Sequence, residues 1–148
     1  MAESRGWLPD DVAILPAGLD LAAAVADVDR ACLSDEDLIR LAQARQRLAA
    51  HVPAQLLADL HAIGGRVDRV LCRDEVDRHE WAETEIAFAM TWTRHRAGAQ
   101  LVFADDLVDR LPAVFAALDA GETSHAVGCQ AAIARVSVSM AGNAVASL

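Results

Sequence analysis

A chain of 148 residues with 13 basic and 22 acidic side chains, net charge −9, has room for one domain that folds without a disulfide or metal staple. Its hydrophobic fraction of 54% is rich in alanine, aromatics make up only 4% and Tyr is absent. That composition predicts an all-α domain of about six helices and leaves little material for strands. All basic residues are Arg, so the lysine of a phosphate-binding Walker loop and Schiff-base chemistry are excluded.

Cys32, Cys72 and Cys129 are odd in number, widely spaced and never in a C-x-x-C pair. They read as reduced, mostly buried thiols of a cytoplasmic protein rather than a disulfide framework. The first residues, with Glu3 and Arg5 ahead of Pro9, lack the apolar stretch of a signal peptide. The uncharged run at 136–148 is too short to span a bilayer, and no membrane partner is expected.

Residues 1–18 hold Gly6, Pro9, Pro16 and Gly18 and read as an arm whose Trp7, Leu8, Ile14 and Leu15 fold back on the body. A helical domain is expected over 19–135, in three parts: N-terminal helices at 19–65, a charged connector at 66–79 that reads as a solvated helix or a mobile link, and a further helical part at 80–135. A short helix is predicted from Asp20 to Ala31. Ser34 then caps a longer helix, with Asp35, Glu36 and Asp37 at the positive end of its dipole. Leu38, Leu41, Leu48 and Val52 recur at helical spacing and continue as Leu56, Leu57, Leu60 and Ile63. Pro53 inside this stripe is expected to kink or split the helix, and Gly64-Gly65 to end it. The stripe at 38–63 is also a candidate surface for a homodimer.

The next helix is predicted over Glu80 to Met90, with Trp81, Ile86, Ala89 and Met90 available for burial. Thr91-Trp92-Thr93 interrupts it. Thr93 is the N-cap of another helix that starts Arg94-His95-Arg96 and continues through Leu101. Pro112 suits the first position of a further helix ending near Gly121. A last helix is expected from Thr123 or Ser124 through Ala126, Cys129 and Ile133, followed by a tail at 136–148.

Two short helices joined by a turn, the second opening with Arg, form the outline of a helix-turn-helix. Ile86, Ala89 and Met90 would pack the first helix, Trp92 the turn, and Ala97 and Leu101 the second. Thr93, Arg94, His95, Arg96 and Gln100 are then the candidate DNA-contacting residues, since a helix entering a major groove presents polar side chains at its N-terminal end. The alternative is a helical hairpin in a bundle with solvated arginines. Net charge opposes phosphate binding, but the acids concentrate at 27–37, 74–85 and 105–109, away in sequence from Arg94 and Arg96.

The run Leu33-Ser34-Asp35-Glu36-Asp37-Leu38 and its Leu/Ala/Arg helix, then Glu85-Ile86-Ala87 with the turn, Arg110-Leu111-Pro112-Ala113, and Ala117-Leu118-Asp119-Ala120-Gly121-Glu122 together resemble an actinobacterial domain, the domain of unknown function number 222. That domain forms the N-terminal part of the mycobacterial 13E12 repeat proteins, which usually end in an HNH endonuclease domain. The resemblance covers roughly residues 33–135. It implies a DNA-binding or targeting module without its nuclease half, and so a truncated or isolated member. Pro53 departs from the unbroken helix usual in the family. More distantly, Leu111-Pro112, Gly121-Glu122-Thr123-Ser124 and His125-Ala126 resemble elements of the helix-turn-helix core of ParB-type partition proteins.

No catalytic constellation is found. An HNH site needs an Asn between two His, and the lone Asn143 has no His after it. His79-Glu80-Trp81-Ala82-Glu83 resembles a zinc-protease helix only superficially, because Glu83 stands where the second His belongs. Glu80 and Glu83 are explained as acids near a helix N-terminus. His51 and His61 read as surface or interface residues. The chain is therefore expected to be no enzyme, with no metal and no cofactor. The runner-up to DNA binding is a helical protein-interaction or dimerisation module.

Overall fold

Local capping chemistry starts the helices where the chain signals it. In a computed structural model describing residues 6–66 and 75–123, five α-helices and no strand occur among the described residues. They are α1 (Leu19–Ala26), α2 (Asp35–Arg66), α3 (Glu75–Met90), α4 (Arg94–Asp105) and α5 (Pro112–Asp119). Short 3-10 turns occupy Asp10–Ala13 and Arg30–Cys32, and a π-helical turn at Asp106–Arg110 prolongs α4. The all-α class is as expected, with five helices rather than six. Thr123 lies in a bend, and the rest of the helix expected there is outside the described residues.

The chain divides into two compact units. One is built on the described residues through Ala54 together with those from Ala116, the other on Gln55–Phe115. In the first, Leu8, Val12, Leu21, Val25, Val28, Leu41 and Ala44 form the core, with Leu15, Leu33 and Leu48 packed against it. Each fully buried Leu or Val contributes about 1.5–3 kcal/mol of transfer free energy. The arm thus folds back through Leu8 and Val12, whereas Trp7 and Ile14 stay exposed.

α2 supplies this unit with more than apolar surface. Helix C-termini leave carbonyls without intrahelical partners, and basic side chains of α2 take up several of these as well as the Asp10 carbonyl at the start of the first 3-10 turn. Arg40 donates to the Asp10 carbonyl at 2.8 Å, Arg45 to Val25 at 3.2 Å, and Arg47 to Val12, Ala13 and Leu15. His51 Nδ1 donates to the Asp119 carbonyl at 2.6 Å, at the end of α5, and lies 2.9 Å from the carboxylate of the same residue. A cation or ring N–H at a negative helix end is favourable both as hydrogen bond and as charge.

Several boundaries differ from expectation. α1 ends at Ala26, five residues early, because the chain turns into the 3-10 segment that the Asp29 carboxylate caps through the Ala31 N–H at 3.0 Å. Pro53 does not split α2: the helix runs to Arg66, with Ala50 and Ala54 buried on either side of the proline. Packing of a long helix outweighs one lost hydrogen bond. Gly64-Gly65 does not stop it either. A Cβ on Gly64 would sit 3.1 Å from Leu101 Cδ1, so this glycine serves close approach to α4 rather than termination. α3 starts at Glu75, so 75–79 take the solvated-helix reading of the charged segment and extend the helix expected from Glu80, while 67–74 lie outside the described residues.

Of the stripe at 38–63, Leu41, Leu57 and Leu60 are buried within the monomer's own units. Val52 and Ile63 remain exposed. Among the described residues no helix is long and apolar enough to cross a membrane. Cys32 is exposed, contrary to the expectation of buried thiols. Its thiol donates to Asp29 Oδ2 at 3.5 Å. That hydrogen bond and the negative charge of Asp29 raise its pKa, which disfavours the reactive thiolate. Cys72 and Cys129 lie outside the described residues.

Candidate nucleic-acid interface

The hairpin α3–turn–α4 lies within the second unit. α3 ends in a Schellman arrangement, with the Trp92 N–H bonded to the Ala87 carbonyl at 2.9 Å and the Thr91 N–H to Phe88 at 3.4 Å. This closure requires a left-handed residue, usually glycine, after the helix. Here Thr91 takes that role at φ 56°. Two residues later the Thr93 hydroxyl accepts the Arg96 N–H at 3.2 Å, the expected N-cap of α4.

α4 is sharply divided. Ala97, Leu101 and Ala104 are fully buried, as expected for the first two, whereas Thr93, Arg94, His95 and Arg96 are all exposed at its first turn and Gln100 is half-buried. On α3 the buried residues are Ala82, Ile86 and Ala87. Ala89 and Met90, expected in the packing, are exposed, and so is Trp81. Ile86 is thus buried as expected, while its buried companions are the small Ala82 and Ala87 rather than the larger Trp81 and Met90.

The arginines are not independent of their surroundings. Arg94 Nε lies 3.8 Å from Glu83 Oε1. The Glu83 carboxylate sits over Gly98, where a Cβ would come within 3.0 Å of Glu83 Cδ. The fold thus brings an acid to Arg94 that the sequence holds eleven positions away. The Arg96 guanidinium lies over the Trp92 ring at 4.5 Å from its centroid. Trp92 is half-buried in the turn.

Beside this hairpin, His79, Glu83, His95, Gly98, Ala99 and Val102 line a cleft of about 490 Å³. It gathers the residues of the zinc-protease-like sequence with His95. Among the described residues, however, no three potential ligands converge on one point as a metal ion needs. Glu80 is exposed and apart from the Glu83–Arg94 pair. At the other end of α4, His61 Nδ1 lies 2.8 Å from Asp105 Oδ1 and its Nε2 3.6 Å from Asp109 Oδ1. Asp105 ends α4 and Asp109 lies in the π-helical turn that follows it, so this junction offers both ring nitrogens an acid. Neither His51 nor His61 is a plain surface residue, since both are partly covered and hydrogen-bonded.

No protein-family model matches the chain, and neither the curated proteins nor the solved structures contain a match to it.

Proposed function

We propose that α3, the turn at 91–93 and α4 form a helix-turn-helix that meets DNA through the first turn of α4, in a non-catalytic targeting module. The observation that carries this reading is the division of α4: four consecutive polar residues, Thr93 to Arg96, exposed at a capped N-terminus, on a helix otherwise anchored by Ala97, Leu101 and Ala104. A helix N-terminus attracts phosphate through its dipole and free N–H groups. Arg94 and Arg96 add charge at the same place.

The Arg94–Glu83 pair is long, and its Arg side chain is 62% exposed. Such a surface pair is worth well under about 1 kcal/mol, so a phosphate competes with it easily. Arg96 stacked on Trp92 keeps its N–H edge free to donate. With net charge −9 on the whole chain, affinity is weak and strongly salt-dependent. A module of this kind fits the recognition half of a nuclease-bearing protein, which is the place given to it in the family the sequence resembles.

The test is the double variant Arg94→Ala with Arg96→Ala. Removing the stack and the ion pair costs at most about 2 kcal/mol of stability. Binding to duplex DNA weakens, and the slope of log K against log salt flattens by roughly 0.9 for each phosphate that is no longer neutralised. Unchanged binding with an unchanged slope would overturn the reading.

A further inference from the structure

The aromatic residues of this chain are scarce, yet two of them face outward on one helix. Trp81 and Phe88 of α3 are 49% and 89% exposed. Seven residues apart, they share one face, about 10 Å from end to end at 1.5 Å per residue. Thr84 and Glu85 between them are exposed too. Among the described residues, the inward face of the same helix carries only Ala82, Ile86 and Ala87 as buried residues. Among the described residues nothing covers most of Phe88 and about half of Trp81, and exposed aromatics grouped on one face are the usual anchors of protein interfaces.

We infer that the outward face of α3, Trp81 to Phe88, docks a basic amphipathic helix of a protein partner. Charge selects this occupant. Glu85 lies on the face and Glu80 at its edge, both exposed, while Arg78 on the other border is half-buried. On a chain of net charge −9, this rim repels phosphate, anionic lipid and a second copy of the chain alike, and attracts Lys or Arg. A partner helix with apolar residues at i, i+3 or i+4 and i+7 matches the spacing of the two anchors, with its basic residues falling beside the acids. This surface is separate from the first turn of α4 and does not depend on DNA binding.

The experiment uses the full chain and a labelled helical peptide of about 14 residues, leucines at helical spacing and lysines elsewhere, against a scrambled peptide of the same composition. Saturable binding is expected for the helical peptide only. Phe88→Ala, at a site open to solvent, should keep the helical circular dichroism spectrum and weaken binding about tenfold. Glu80→Gln with Glu85→Gln should weaken it severalfold at low salt. Equal binding of both peptides, or full binding by Phe88→Ala, would overturn the proposal. So would sedimentation of the free chain as a dimer that Phe88→Ala abolishes, which would make a second copy the occupant. A photo-crosslinker replacing Phe88 should capture the peptide, and capture of residues 124–148 of its own chain instead would count equally against it.

Discussion

The guanidinium of Arg96 lies over the indole of Trp92, 4.5 Å from the ring centroid. The two residues span the junction between the turn and α4, so the stack does two things at once. It holds the turn against the first residues of the helix, and it limits the directions in which the Arg96 N–H groups can point. An arginine restrained in this way loses less rotamer freedom when it meets a phosphate than a free one would.

The end of α5 yields the first stability prediction. Gly121 has φ +72°, and a Cβ there would lie 2.8 Å from both the Cβ and the carbonyl oxygen of Arg47. The Glu122 N–H bonds the Ala117 carbonyl at 2.8 Å and the Gly121 N–H bonds Leu118 at 3.0 Å, so the left-handed glycine closes the helix. Gly121→Ala should cost at least about 1–2 kcal/mol from the backbone alone. The clash with α2 backbone adds to that. Thermal unfolding should show a fall of about 2–4 °C for each kcal/mol in a chain of this size.

The same geometry at the end of α3 gives a prediction of opposite sign. Thr91 occupies the left-handed position with a β-branched side chain that is exposed. Thr91→Gly should therefore raise stability by about 0.5–1 kcal/mol, the strain removed exceeding the extra freedom of the unfolded chain. Chemical denaturation with an unchanged m-value is the measurement.

These two ends also show what is legible in the sequence. Caps are local, so Ser34, Thr93, Pro112 and Gly121 can be read directly from the residues beside them, and the structure has the Asp37 N–H on Ser34 Oγ at 3.1 Å. Long-range events cannot. Gly64 reads as a stop until Leu101 is placed against it. Arg94 reads as free of acids until α3 and α4 pack and Glu83 arrives. Pro53 reads as a break because the burial of Ala50 and Ala54 around it is a tertiary effect. The polar character of Thr93 to Arg96 is enough to mark them as exposed, while their restraint by Trp92 and Glu83 is visible only in three dimensions.

Arg47 is the residue on which the N-terminal arm most depends, since it donates to three carbonyls there, those of Val12, Ala13 and Leu15. Arg47→Met keeps the aliphatic stem and removes every donor. It should cost about 1–3 kcal/mol. Hydrogen exchange should accelerate over residues 10–15 well before it does in α2, which separates opening of the latch from general unfolding.

The proposal that α4 meets DNA is tested most directly by amide chemical shifts of the isotopically labelled full chain, titrated with a short duplex at low salt. Saturable shifts are predicted at Thr93 through Ala97, together with the Arg96 side-chain Nε, and they should fade as salt rises. Amides around Arg47 and Asp119 should not move. Shifts confined to those residues, or none at Thr93 through Ala97 under conditions where DNA is bound, would contradict the account.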